Sequence, residues 1–346
     1  MIGVGVAGCG YWGSKVILSL EATPGLRVVA ASDPKEGRRA YVERNHPGMA
    51  VISGFEALLE MEEVEAIWLA TPVGTHAPFA REALARGRHV LVEKPMATRA
   101  DEAAALVELA DRKGVELHVG HTYLHSPAVA ELRRLLADGA HGRTCYIASE
   151  RINPGPPATE VSVLWDLAVH DVAILLDLID QTPITVSATA GRWRHSDLAE
   201  MVMLTLQMEG DVSAQVHVSW MSALKTRVMK IFGTVATLVY DDLADPPIRW
   251  IGAAADNRRD AGDAAAVHLA YGPGETREFR PAGPQPLLAE CAAFRDAMAS
   301  GRRAPNEGRR AVRVVEVLEA AEISLASAGA RVALEETRPA AMGGGR

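Results

Sequence analysis

The spacing of apolar and polar positions changes character once along the chain, near residue 122. Before it, short apolar runs at 2–7, 27–32, 64–70, 89–93 and 115–120 read as strands, with helical patterns over 14–20, 76–87 and 99–113 between them. Runs that are apolar throughout, and separated by helices, predict a parallel sheet covered on both faces. After residue 122, a helix near 126–138 leads to a strand near 143–151 and a helix over 165–180. Strands then follow with little between them, near 184–193, 199–208, 212–220, 226–232 and 235–240. In the third of these, Val212, Ala214, Val216, Val218 and Trp220 share one face, and Ser213, Gln215, His217 and Ser219 the other. That alternation belongs to a sheet buried on one side. The Gly-, Ala-, Asp- and Pro-rich stretch 252–285 reads as a long irregular loop, with helices near 286–300 and 307–328 after it.

The first strand runs into Gly8-Cys9-Gly10-Tyr11-Trp12-Gly13, a G-x-G-x-x-G spacing that opens a helix. Gly8 permits the tight turn, Gly10 leaves room for a pyrophosphate and Gly13 lets helix and strand pack closely. Free N–H groups at the helix start attract phosphate. The second strand ends at Asp33, where an acid takes the ribose hydroxyls of a dinucleotide. The fold class is therefore α/β: an N-terminal Rossmann doubly wound parallel sheet over 1–122, then an α+β domain with a mostly antiparallel open sheet over 123–337. Residues 338–346 read as a disordered tail.

Composition narrows the function classes. The chain has 346 residues, 48% hydrophobic and 23% charged, as in soluble two-domain proteins. A net charge of −8 argues against a nucleic-acid partner. No apolar stretch is long enough to span a bilayer, so no membrane partner is expected. Cys9, Cys145 and Cys291 lie far apart and form neither a disulfide framework nor a metal spacing, which points to the reducing cytoplasm. No His/Asp/Glu set has metal-ligand spacing either, and no metal is expected.

In a parallel sheet, ligands sit beyond the carboxyl ends of the strands. Gly8–Gly13, Asp33, Thr71–His76, Glu93–Pro95 and His121–Tyr123 all follow predicted strands. Lys94 lies in this group, between Glu93 and Pro95, and reads either as a functional lysine or as an ordinary surface one. A cis Lys94–Pro95 bond is the minority state a priori. Asp166 and His170, four apart on one helix, share a face and suit proton transfer, with the carboxylate orienting the imidazole. With Asp177 they form a polar stripe on a helix otherwise apolar. The alternative is a helix-start aspartate beside a satisfied core histidine. His121 and Tyr123 read either as substrate contacts or as a domain-boundary turn, and Asn153 and Arg151 are weaker substrate candidates. Asp33 favours NAD, because its charge repels the 2′-phosphate of NADP. Lys35, Arg38 and Arg39 follow closely and suit that phosphate, so NADP stays open.

Taken together, Gly8–Gly13, Ser32-Asp33-Pro34, Ala70-Thr71-Pro72 with His76, Glu93-Lys94-Pro95 and Asp166-x-x-x-His170-Asp171 resemble the glucose-fructose oxidoreductase/inositol dehydrogenase/rhizopine catabolism protein (Gfo/Idh/MocA) family. The resemblance covers nearly the whole chain. It implies an NAD(P)-dependent oxidoreductase with Lys94, Asp166 and His170 as the catalytic set. It also implies cofactor contacts from Gly8, Gly10, Tyr11, Trp12, Gly13, Asp33, Thr71, Pro72, His76, Glu93 and Lys94. A carbohydrate-like substrate and a homodimer or homotetramer formed through the C-terminal sheet are further implications. Val119–Tyr123 and Val163–Ala168 are similar to the branch acting on nucleotide-linked or amino sugars. Val73 departs from the Asn of many members, and Val169 from a Pro of that branch. Two rival readings keep the nucleotide: a glycosidase or eliminase with transient oxidation, and a non-catalytic NAD-binding sensor.

Overall fold

The computed structural model describes residues 1–154, 160–179, 181–194, 197–253, 273–301 and 307–334. The predicted tail 338–346 and most of the predicted loop 252–285 lie outside the described residues. The chain divides into two compact units: Met1–Ser126 with Pro284–Glu319, and Pro127–Gly283 with Ala320–Glu336.

In the first unit, strands β1 (Ile2–Ala7), β2 (Leu26–Ser32), β3 (Ala50–Ile52), β4 (Ala66–Leu69), β5 (His89–Glu93) and β6 (Leu117–Gly120) form one sheet in the order β3-β2-β1-β4-β5-β6. All its pairings are parallel. Helices α1 (Tyr11–Glu21), α2 (Glu36–Asn45), α3 (Phe55–Leu59), α4 (Val73–Ala85) and α5 (Ala100–Lys113) connect the strands. The strand order reverses between β1 and β4, which opens a crevice beyond their carboxyl ends. Residues of β4 are fully buried, as a central parallel strand with helices on both faces must be. The sequence reading left β3 and α3 unassigned; at three and five residues, they are too short to show a period.

A later helix, α8 (Pro286–Ser300), returns to this unit. Its Cys291 and Phe294, both fully buried, join Val4, Val16, Ile17 and Leu20 in one apolar cluster. Among the described residues, 284–301 and 307–319 therefore group with the nucleotide-type sheet, whereas the sequence predicts them as part of 123–337. Chain order carries no sign of this return; the burial of Cys291 and Phe294 does.

The second unit holds α6 (Pro127–Ala137), β7 (Thr144–Ile152), a π-helical turn at Leu164–Ala168 and α7 (Val169–Leu178). Then come β8 (Pro183–Gly191), β9 (Met201–Met208), β10 (Ser213–Ser219), β11 (Thr226–Gly233), β12 (Ala236–Asp241), β13 (Ile248–Ala253) and β14 (Pro273–Phe279). After α9 (Gly308–Ala326), the short β15 (Val332–Ala333) completes a nine-stranded sheet, ordered β14-β13-β12-β11-β7-β10-β9-β8-β15. Only the β7–β10 pairing among these is parallel. Within β10 and its flanks, Val212, Ala214, Val216, Val218 and Trp220 are buried, as the alternation predicts. β14 corrects the reading of 252–285 as wholly irregular, because Pro273–Phe279 pairs antiparallel with β13. Its charged Glu275, Arg277 and Glu278 hid an edge strand, where polar side chains are ordinary.

Candidate active site

The first unit builds a phosphate cradle from three glycines with different reasons to be glycine. Gly8 has φ +95°, and a Cβ there would lie 2.3 Å from the Ala70 carbonyl oxygen. A Cβ on Gly13 would come within 1.8 Å of the Gly8 carbonyl oxygen. A Cβ on Gly10 would meet nothing nearer than the Arg38 guanidinium, at 3.6 Å, an ordinary contact, so space within the chain does not by itself demand glycine there. The Gly8 N–H donates to the Ser32 carbonyl at 2.7 Å, and the Cys9 N–H to Asp33 Oδ2 at 2.9 Å. The end of β2 thus fixes the turn after β1. The first N–H groups of a helix find no partner within it, so the start of α1 suits a phosphate. These features fit a dinucleotide. Burial, with the Asp33 charge added, pushes the Cys9 thiol up to about 12, so it stays protonated at neutral pH.

Glu93 closes β5, and its side chain is held from two sides. Trp12 Nε1 donates to its Oε1 at 2.5 Å, and Trp68 Nε1 to the same oxygen at 3.2 Å. Trp12 therefore spends its polar atom on Glu93. Burial is the largest influence on this carboxyl and pushes it up to about 7, against the indole hydrogen bonds and the neighbouring Lys94. Lys94 follows, half-buried, and its bond to Pro95 is cis, the minority state. His76 is buried on α4: its Nδ1 lies 2.8 Å from the Pro95 carbonyl oxygen and its Nε2 2.8 Å from that of Thr71. It ties the loop after β4 to the loop after β5. Pro72 is exposed, as is Tyr11, whose hydroxyl accepts from Lys15 Nζ at 2.7 Å.

At the end of β6, His121 is buried and its Nδ1 has no hydrogen-bond partner among the described residues. Burial first, then the Lys94 and His125 charges, pull its imidazole down to about 3, so it is neutral at physiological pH. The same Lys94 influence places His121 and Lys94 in one electrostatic neighbourhood. Tyr123 is half-buried in the following turn, and the Thr122 hydroxyl donates to buried Glu290 at 2.8 Å.

In the second unit, Asp166 lies in the π-helical turn and His170 in the first turn of α7. The regular α-helix assumed over 165–180 therefore starts late, at Val169, and its i,i+4 geometry does not run through Asp166. Such turns recur at functional sites. Both side chains are half-buried, and Trp220 Nε1 donates to Asp166 Oδ2 at 3.0 Å. Asp177 has other work, accepting from Arg133 Nε at 3.1 Å. Arg151 is buried and donates to Asp171. The Ser149 hydroxyl donates to the other Asp171 oxygen at 2.5 Å. That network pins the residue next to His170 against β7 and commits Arg151 to structure. Asn153 is half-buried, with its N–H on the Ser219 carbonyl oxygen at 3.0 Å.

Sequence reasoning missed the two indoles on Glu93, Trp220 on Asp166 and the Ser149–Arg151–Asp171 network. The sequence places Trp12 among the cofactor contacts and Trp220 on a buried strand face, yet an indole N–H out of solvent needs an acceptor, and that need is the available signal. Among the described residues, no group of three or more His, Cys, Asp or Glu side chains is placed to hold a metal, and no helix is long and apolar enough to cross a membrane.

The chain is 35% identical over 224 residues to inositol 2-dehydrogenase 2 of Saccharopolyspora erythraea, covering 62% of this chain and 66% of that one. It is 29% identical over 334 residues to dTDP-3,4-didehydro-2,6-dideoxy-alpha-D-glucose 3-reductase of Streptomyces violaceoruber, covering 92% of each. The fold matches UDP-N-acetylglucosamine 3-dehydrogenase of Acidithiobacillus ferrooxidans with a TM-score of 0.79 at 24% identity, over 94% of this chain and 98% of the other. The model of the oxidoreductase family with an NAD-binding Rossmann fold matches residues 2–121, and that of the GFO/IDH/MocA C-terminal domain residues 129–239. With both of its domains matched in order, this chain belongs to the Gfo/Idh/MocA family of NAD-dependent oxidoreductases.

Proposed function

We propose that this enzyme moves a hydride between nicotinamide and a secondary alcohol or ketone of a sugar, amino sugar, nucleotide sugar or cyclitol. The observation that carries the reading is Lys94, held at the carboxyl end of β5 on the same sheet edge as the glycine turn and Asp33. Gly8, Gly10, Gly13 and the start of α1 hold the pyrophosphate, and buried Asp33, accepting the Cys9 and Lys35 N–H groups, shapes the turn on the adenosine side. When bound, NAD supplies the hydride acceptor. Lys94 hydrogen-bonds the reacting oxygen and His170 takes its proton, while Asp166, fixed by Trp220, supports the charge that His170 gains. In reduction, the same groups return the proton. The names of the relatives, which act on inositol, a dTDP-linked deoxyhexose and UDP-N-acetylglucosamine, support the substrate class.

The homo-oligomer implied by the resemblance is supported by the sheet face opposite α6 and α7. There Tyr146 stacks on Phe232 with ring centroids 4.0 Å apart, and Tyr146 and Met203 are 45% and 52% exposed. Screening inositols, free sugars and nucleotide sugars for NADH formation tests the substrate class. A positioned acid–base group contributes on the order of 10²–10⁴-fold. Lys94→Ala and His170→Ala should each lose that much turnover while NADH still binds, read by titration calorimetry. Wild-type turnover in either variant refutes the assignment of roles.

A further inference from the structure

With the pyrophosphate over the glycine turn after β1 and the adenosine side at the end of β2, the sheet order β2-β1-β4-β5 gives the nicotinamide half to the ends of β4 and β5. Glu93 and Lys94 stand there. Glu93 is also tied to the turn itself, because Trp12, in the first turn of α1, donates to its Oε1. The carboxyl is therefore one indole away from the phosphate cradle, and the next residue is the lysine.

The surroundings of this carboxyl pull in opposite directions. Glu93 is buried, and loss of water favours the neutral acid. Trp12 and Trp68 both donate to Oε1, and an indole, having only a donor, favours the carboxylate. The Lys94 backbone N–H and its ammonium favour the carboxylate as well. Oε2 is packed against Gly120, where a Cβ would lie 2.7 Å away, so that position on β6 brings no charge. His121, just beyond, is neutral. From α8, burial pushes the Cys291 thiol up, which keeps it neutral too, and Glu290 accepts from Thr122. Trp68 from β4 and Trp12 from α1 do not titrate. The charge that acts on Glu93 is thus the Lys94 ammonium, and burial opposes it. A group balanced in this way is tipped by one further charge in the crevice, and the nicotinamide ring is positive in NAD⁺ and neutral in NADH.

We infer that Glu93 lets this chain tell oxidised from reduced dinucleotide, its carboxyl ionising opposite the cationic nicotinamide and taking a proton opposite the neutral ring. This rests on the reading of the glycine turn as a dinucleotide cradle. A carboxyl that follows the ring in this way leaves no unpaired charge buried in either complex. By linkage, a ligand that favours the ionised acid binds more tightly as pH rises through the value of the free protein. NAD⁺ should show that gain and NADH should not.

Titration calorimetry on the full chain with NAD⁺ and NADH tests this without a substrate, from about pH 5.5 to about pH 8.5, roughly 1.5 units on either side of the Glu93 value. The ratio of Kd for NAD⁺ to Kd for NADH should fall about fivefold or more across that range, as a difference of about one unit in Glu93 between the two complexes requires. Glu93→Gln keeps an oxygen for both indoles, and its ratio should not move with pH. In buffers of different ionisation enthalpy near pH 7, NAD⁺ should release a fraction of a proton on binding the wild type, and none on binding Glu93→Gln. A flat wild-type ratio, or a pH dependence that persists in Glu93→Gln, overturns the inference while leaving the dinucleotide reading intact. Should Glu93→Gln not fold, Trp68→Phe serves instead: it takes one donor from the carboxylate, so the inflection in the ratio should move to higher pH, and an unmoved inflection overturns the inference. If neither dinucleotide binds the wild type, the cradle reading itself fails and takes this one with it.

Discussion

Glu93→Gln isolates a charge from a shape. Both indole N–H groups reach the same oxygen, Oε1, so a glutamine that points its carbonyl oxygen there keeps both hydrogen bonds. What the variant loses is the ability to ionise. In the fold, burial pushes Glu93 from 4.5 to about 7, whereas the unfolded chain returns it to the ordinary value. A folded carboxyl with a raised pKa favours the fold below the unfolded value, and that advantage is lost as pH rises through the folded one. At about 1.4 kcal/mol per pH unit, the wild type should lose about 3 kcal/mol relative to Glu93→Gln between pH 4.5 and 7. For a unit of this size that is a shift of roughly 6–12 °C in melting temperature. Calorimetric scans of both proteins from pH 4 to 8 give the comparison. The two should differ by a constant at the acid end, and the variant should melt progressively higher toward pH 8. Parallel curves, or a wild type that gains on the variant as pH rises, would show that the indoles and Lys94 outweigh burial, and the reasoning fails.

Arg151→Met leaves Asp171 buried without its cation, a loss of about 3–5 kcal/mol; a melting temperature within 2 °C of wild type, roughly the scatter of such scans, speaks against it. Gly13→Ala drives a Cβ to 1.8 Å from a backbone oxygen that cannot yield cheaply, so NADH affinity should fall at least tenfold, roughly the cost of one lost phosphate contact. Titration calorimetry on folded variant protein reads it, and unchanged affinity refutes the cradle. His121 is held down at about 3, so it contributes no inflection to kcat/KM between pH 5 and 9, limits about two units or more from that value. His121→Asn should keep the shape of that profile even if its height changes. Its neutral burial also favours the fold above 6.5, and that contribution is lost as pH falls toward 3.

The first unit was legible because its signals are local. The strand–glycine–helix order of residues 2–20 fixes its own turn, and Asp33 stands one strand away. The returning helix α8 was not legible, because what ties Cys291 and Phe294 to Val16 and Leu20 is packing across more than 270 residues of chain. No period along the chain records such a contact. β14 escaped for the opposite reason: an edge strand carries too little burial to show a pattern. Of the site, backbone demands were readable and side-chain partnerships were not. Gly8 and Gly13 announce their need for space, whereas Glu93 does not announce which indoles will hold it.

The same distinction explains why Asp166 was named for a sound reason with the wrong geometry. An i,i+4 pair of carboxylate and imidazole assumes the α period, and nothing in Leu164–Val169 signals a departure, since every residue there forms ordinary helix. Formation of a π-helical turn is a decision of the surroundings rather than of propensity. Trp165 Nε1 donates to Glu322 Oε1 at 2.7 Å, and Trp220 Nε1 to Asp166 Oδ2 at 3.0 Å. Two indole bonds therefore anchor adjacent residues of that turn to different elements, one to α9 and one to the end of β10. Trp220 thus holds the Asp166 carboxylate from outside its own helix, at the residue where the wider turn lies.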